Sequence, residues 1–203
     1  MQVYIFIPTE YTICNMATPE IKRIRVDLSQ KPKDDTKKSK EKEKLPPKKR
    51  VITQTDVWTF RDFTHETQLL LLEKLHAATE LSPEMTIIMQ QIQAKRQGYK
   101  QQDVEKGLLD VSQFIETHQI IELLHTCRLC CFYCKEPAHL VYETVRDPKQ
   151  WSLERIDNGY GHNFGNVEIA CLACNVRRRT IYHERYIATK QMSHIVKLDT
   201  NNA

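Results

Sequence analysis

The chain has 203 residues, a formal net charge of +4, 40% hydrophobic and 28% charged residues. That length builds one domain with a sizeable core, or two small ones. No run approaches the ~18 apolar residues of a membrane span, and the short apolar start lacks the basic lead and cleavage site of a signal peptide, so the expectation is a chain with no membrane partner.

The opening Met1-Gln-Val-Tyr-Ile-Phe-Ile-Pro8 is open between a strand and an unstructured head. Residues 31–50 hold ten basic and four acidic side chains with a single leucine. Such a segment cannot bury enough apolar surface to fold, so it reads as a disordered basic arm. Its charge of +6 leaves −2 for the rest of the chain, so the positive balance belongs to the arm. It suits phosphate binding, an import signal at 46–51 or a solvated spacer. Residues 1–57 are therefore expected to be head and arm.

Helical periodicity begins near Trp58. Thr64 or Thr67 caps a first helix through Leu69–Leu72, Leu75 and Ala78. Ser82-Pro83 is an N-cap and N1 pair for a second, which Gly98-Tyr99 is expected to break. A third runs from Gln102 to Leu124. Residues 58–126 thus read as a small helical module, 127–190 as a second unit and 191–203 as a polar tail.

Six of the seven cysteines fall between 127 and 174. That clustering fits metal binding in a reducing compartment, hence an intracellular, nuclear or cytoplasmic protein, better than a secreted disulfide framework. Cys131-Phe-Tyr-Cys134 and Cys171-Leu-Ala-Cys174 are two CxxC knuckles separated by 36 residues. Each can supply two thiolates, and zinc accepts four in a tetrahedron. Cys127 and Cys130 form an overlapping CxxC. The later register is preferred, because Phe-Tyr inside the pair and Lys135-Glu136-Pro137 after it suit a knuckle followed by a turn.

Between the knuckles, Leu153 and Ile156 indicate one strand, and Val167, Ile169 and Ala170 a second running into Cys171. Three of the chain's five glycines, at 159, 161 and 165, lie in the loop joining them. After Cys174-Asn175 a helix continues to about Lys190. The fold class is α+β, with strand, loop, strand and helix clamped by the zinc site.

Leu153-Glu-Arg-Ile-Asp-Asn158, Gly161-His162, Asn166-Val-Glu-Ile-Ala-Cys171 and Cys174-Asn175, followed by Arg177-Arg178, resemble the HNH endonuclease family. The resemblance covers roughly residues 131–179 and implies a ββα-metal fold behind the helical module. It implies structural Zn2+ at the four cysteines and a separate Mg2+ or Mn2+ for hydrolysis of DNA phosphodiester bonds, with RNA left open. Asn175, with Glu154 or Asp157, would hold that second ion, and Asn166 would brace the loop.

The chain departs from the family at the first strand, where Asp-His is usual and Glu154-Arg155 stands. Arginine stays charged and cannot deprotonate water. His162 then serves as base while Arg155 grips a phosphate, or the site has lost catalysis and only binds. By itself His162 would read as a solvent-exposed loop histidine. Arg177, Arg178 and Arg179 would contact phosphates. The rival expectation is a non-catalytic, zinc-stabilised nucleic-acid-binding or regulatory module. The overall organisation is also similar to proteins of phages and large DNA viruses.

Overall fold

The computed structural model describes residues 46–192 except 79, together with two N-terminal strands. Those strands, β1 (Gln2–Ile7) and β2 (Glu20–Arg25), pair antiparallel, with Gln2 opposite Arg25 and Ile7 opposite Glu20. Five helices and a second antiparallel pair follow, so the chain is α+β. Most of the basic arm and the tail from 193 lie outside the described residues. No helix among those described is long and apolar enough to cross a membrane.

The last five residues of the expected arm, 46–50, are folded. Arg50 N donates to Glu143 O at 2.8 Å, Val145 N to Lys48 O at 2.7 Å, and the Arg50 guanidinium lies 4.2 Å from the Tyr142 ring centre. A cation over an aromatic face helps to anchor this Pro-Pro-Lys-Lys-Arg stretch.

Helix α1 (His65–Ala77) starts at Thr64, whose hydroxyl accepts from Thr67 N. Helix α2 (Pro83–Glu105) starts at Ser82, which accepts from Met85 N, with Pro83 in the first turn. Both starts match the expectation. The end of α2 does not: it runs 23 residues straight through Gly98-Tyr99. The stop is Gly107, at φ +66, where Gly107 N bonds Val104 O (3.0 Å) and Leu108 N bonds Asp103 O (2.8 Å). That crossed pair is the Schellman ending, which requires a left-handed residue and so favours glycine. The third helix is correspondingly shorter than expected. Helix α3 (Thr117–Thr126) is started by a capping box, Glu116 with Gln119.

Strand β3 (Trp151–Arg155) pairs with β4 (Val167–Cys171), Leu153 opposite Ile169 and Glu154 opposite Glu168. Side chains alternate faces along a strand. Trp151 and Leu153 join Leu72, Ile88, Ile92, Ile120 and Leu124 in one apolar core. Ser152 and Glu154 point the other way, toward α4 (Leu172–Arg178). The expected single helix to Lys190 is two helices. Arg179 ends α4 at φ 52, ψ −115, a conformation a β-carbon disfavours, and α5 (His183–Met192) follows.

The helices and the strand pair draw on the same core, so the packing is continuous across the boundary expected at 126/127. A smaller apolar cluster surrounds the cysteines: Tyr133, Ala170 and Tyr186 with Cys131, Cys171 and Cys174.

Candidate functional site

The sulfurs of Cys131, Cys134, Cys171 and Cys174 all lie within 4.8 Å of one another. The first knuckle is closed by Lys135 N donating to Cys131 O (2.9 Å), with Lys135 at φ 60, and Phe132 N donating to Ile169 O (2.8 Å) ties it to β4. Cys171 ends β4, and Cys174 is one turn into α4. A zinc–sulfur bond of about 2.3 Å in a tetrahedron sets sulfurs about 3.8 Å apart. Cys134 Sγ and Cys171 Sγ are 3.9 Å apart. The four cysteines can hold a metal ion, and the soft, tetrahedrally spaced set suits structural zinc.

Their thiols influence one another strongly. The other three cysteines hold Cys131 far below the ordinary thiol range, while Cys131 pushes Cys171 and Cys174 far above it. Ionising all four at this separation needs a cation among them. Cys127 is outside the group, and burial pushes its thiol up to about 11. The preferred register is the one the fold adopts.

Beside this centre, β3, the glycine loop, the C-terminal end of α2 and α4 enclose a cleft of ≈ 620 Å³. Its walls carry Ser152, Glu154, Arg155, His162, Asn175, Lys106 and Arg179 among others. Five of the residues singled out from the sequence therefore converge on one cleft: Glu154, Arg155, His162, Asn175 and Arg179.

Glu154 is 5% exposed and makes an ion pair with Arg178, which is fully buried. Arg178 also donates to Arg155 O (2.6 Å) and Ile156 O (2.8 Å). This corrects the expectation for Arg178: it faces inward and organises β3 and the start of the loop, so it has no surface to offer a phosphate. Asn175 and Arg178 are three apart and share a helix face, which is why both meet β3. Asn175 Nδ2 donates to Ser152 Oγ and Leu153 O, each at 3.2 Å. Burial pushes Glu154 up to about 6 against the opposing pull of Arg178. Its second oxygen, Oε2, is buried and has no protein partner.

Asp157 stands apart from the cleft walls. Its Oδ1 accepts from Gly159 N at 2.7 Å and shapes the loop. Of the two alternatives for the carboxylate, Glu154 is the one the fold places in the cleft. A buried carboxylate oxygen without a protein partner and an asparagine amide, on the walls of one cleft, are oxygen ligands of the type a hard divalent ion takes.

Asn166 ties the loop closed from both sides. Its Oδ1 accepts from Asp157 N (2.9 Å), and its Nδ2 donates to Asp157 O and Gly161 O, each at 3.0 Å. One nitrogen of Arg155 donates to Asn158 O (3.2 Å) and Tyr160 O (3.0 Å). Arg155 lines the cleft, but half of the expected phosphate fork is already committed to the loop. Arg177 and Arg179 are exposed, and only Arg179 of the two borders the cleft.

His162 is 4% exposed, which corrects the reading of a solvent-facing loop histidine. Its Nδ1 lies 2.8 Å from Asp103 Oδ1, its backbone N donates to Asp103 Oδ2 at 2.6 Å, and its ring centre is 4.6 Å from that of Tyr99. Burial pushes the imidazole below its ordinary range, Asp103 opposing. Gly161 makes this approach feasible: a β-carbon there would sit 2.6 Å from Leu108 O and 2.8 Å from Asp103 Oδ2.

Lys106 belongs to a basic cluster with Lys95, Arg96 and Lys100 that reads from the sequence as solvated surface or a DNA-facing patch; Asp103 and Tyr99 are absent from the expected site. Both of these lie on α2, far from the cysteines in sequence, and no local pattern marks them. The glycine before His162 was the nearest signal that another group approaches there. The chain matches no protein-family model, no curated protein and no solved structure.

Proposed function

We propose that the protein is a divalent-metal-dependent endonuclease that hydrolyses DNA phosphodiester bonds, built on a zinc-stapled, HNH-like ββα unit. The observation that carries this reading is the convergence of Glu154, Arg155, His162 and Asn175 on one cleft next to the four-cysteine centre. The motif resemblance of residues 131–179 supports it.

The chain's own residues supply the following chemistry. A carboxylate only accepts, so neutral His162 carries its proton on Nδ1 toward Asp103 and keeps the Nε2 lone pair for an incoming water. The His162 imidazole removes that water's proton as the water attacks phosphorus. Glu154 Oε2 and the Asn175 amide oxygen would hold the divalent ion. When bound, it stabilises charge on the phosphate and on the departing oxygen. Arg155 and Arg179 offer cationic donors to the flanking phosphates. Asn166 keeps the loop, and with it His162, in register.

Nicking of supercoiled plasmid with added magnesium or manganese tests the reading. Wild type is expected to nick, and chelation of the divalent ion to stop it. Asn175→Ala and His162→Ala are expected to lower the rate by at least about a hundredfold, with zinc content unchanged. Nicking at wild-type rates by both variants would overturn the assignment.

A second reading, a zinc-stabilised nucleic-acid-binding module without catalysis, is favoured by one observation. Glu154, the sole carboxylate among the described residues of the cleft wall, is already paired with Arg178. Salt-sensitive DNA binding by zinc-loaded wild type without nicking selects it.

A further inference from the structure

The groups that would act on a phosphodiester are recessed. His162 is 4% exposed and Glu154 5%, and both line the ≈ 620 Å³ cleft. The backbone of a stiff duplex lies on the outside of a wide rod and reaches such groups only if the duplex is deformed, at a free-energy cost. A flexible single strand can enter without that cost.

The walls suit a polyanion. Among the described residues, Lys106, Arg155 and Arg179 line the cleft against one carboxylate, Glu154, which Arg178 already balances. Arg179 does so from a backbone conformation of φ 52, ψ −115. Strain of that kind clusters at functional positions.

Exposed aromatic rings stand on the two segments that border the cleft. Tyr160, 62% exposed, is on the glycine loop between Asn158 and His162, both of which line it. Tyr182, 80% exposed, follows the lining residues Arg179 and Thr180 in the α4–α5 turn. Neither ring is used by the core. Aromatic rings beside a basic groove are how proteins hold unpaired bases, because every base has a face to stack.

We propose that the cleft takes single-stranded, unpaired nucleic acid, with its phosphates on Lys106, Arg155 and Arg179 and bases stacked on Tyr160 and Tyr182. This rests on the nucleic-acid reading above but not on catalysis.

The test is fluorescence anisotropy of the zinc-loaded full chain with a short labelled DNA oligonucleotide and with its duplex, at low salt and without added divalent ion. The single strand is expected to bind at least about tenfold more tightly. Tyr160→Ala and Tyr182→Ala should each weaken it by roughly five- to a hundredfold, leave duplex affinity and zinc content unchanged, and be rescued by Tyr→Phe. Equal or tighter duplex binding overturns the proposal, as do alanine variants that bind the single strand like wild type. Absence of binding to both forms overturns it together with the nucleic-acid reading. Tight single-strand binding without cleavage on adding magnesium sinks the nuclease alone.

Discussion

Lys95 places its ammonium beneath β3, donating to the Trp151 carbonyl and lying 4.5 Å from the Trp151 ring centre and 5.1 Å from that of Tyr142. Burial, with Arg50 adding to it, lowers this lysine to about 7. Between pH 7 and the ordinary lysine value of 10.5 the unfolded chain keeps a proton that the folded chain has released. Stability therefore rises with pH across that window and is lost as pH falls toward 7. Urea unfolding from pH 7 to 9 should show wild type gaining on Lys95→Met by about 1 kcal/mol per pH unit, the limit for one proton being about 1.4. Parallel curves would mean that Lys95 stays charged. Arg178 offers a second check at this scale. Arg178→Ala leaves Glu154 buried and unpaired, and should destabilise by about 3–5 kcal/mol. Arg178→Met combined with Glu154→Gln should recover much of that loss. Glu154 was legible as a candidate from its strand motif. Its partner was not, because an Arg-Arg-Arg run does not say which arginine the helix turns inward.

At the scale of elements, local chemistry foretold beginnings better than endings. Thr64, one of the two candidates for the first cap, and Ser82 both cap their helices, since N-cap bonds are made within three residues. Gly98 was expected to stop α2 and instead lies in its middle. A glycine costs a helix only about 1 kcal/mol, which the burial of Ile87, Ile88 and Ile92 on the same helix outweighs. Gly98 is exposed, and a β-carbon there would meet nothing within 4 Å. Gly98→Ala should therefore stabilise by about 0.5–1 kcal/mol, read as a higher urea midpoint with unchanged slope. Destabilisation would imply that the glycine serves a conformation other than this helix. The split between α4 and α5 at Arg179 had no sequence signal, because arginine is not a residue that usually takes that backbone geometry.

Across the whole molecule, the four-cysteine centre joins the loop before β3 to the β4–α4 junction, and α4 in turn supplies Asn175 to the cleft and Arg178 to the buried side of Glu154. Metal binding and cleft geometry are thus coupled. Elemental analysis should find one zinc per chain. Cys131→Ser and Cys171→Ser should lose it and unfold at lower temperature, whereas Cys127→Ser should retain it. Loss of zinc from Cys127→Ser would move the centre to the other register. Removing zinc with a strong chelator should also abolish binding in the cleft, even with magnesium restored.

What the sequence determined by itself was local. The CxxC spacing, the two strands, the N-caps and the glycine loop follow from bonds and turns made between near neighbours, and the cysteine register from the turn chemistry around the first pair. What only tertiary structure decided was how distant groups meet. Asp103 reaches His162 across 59 positions, because the Schellman ending of α2 and the missing side chain of Gly161 bring the carboxylate against the loop. Arg178 rather than Arg177 or Arg179 turns inward, because α4 packs on β3 by one face. Such choices depend on the packing of elements on one another, and the periodicity of a single segment does not encode its neighbour.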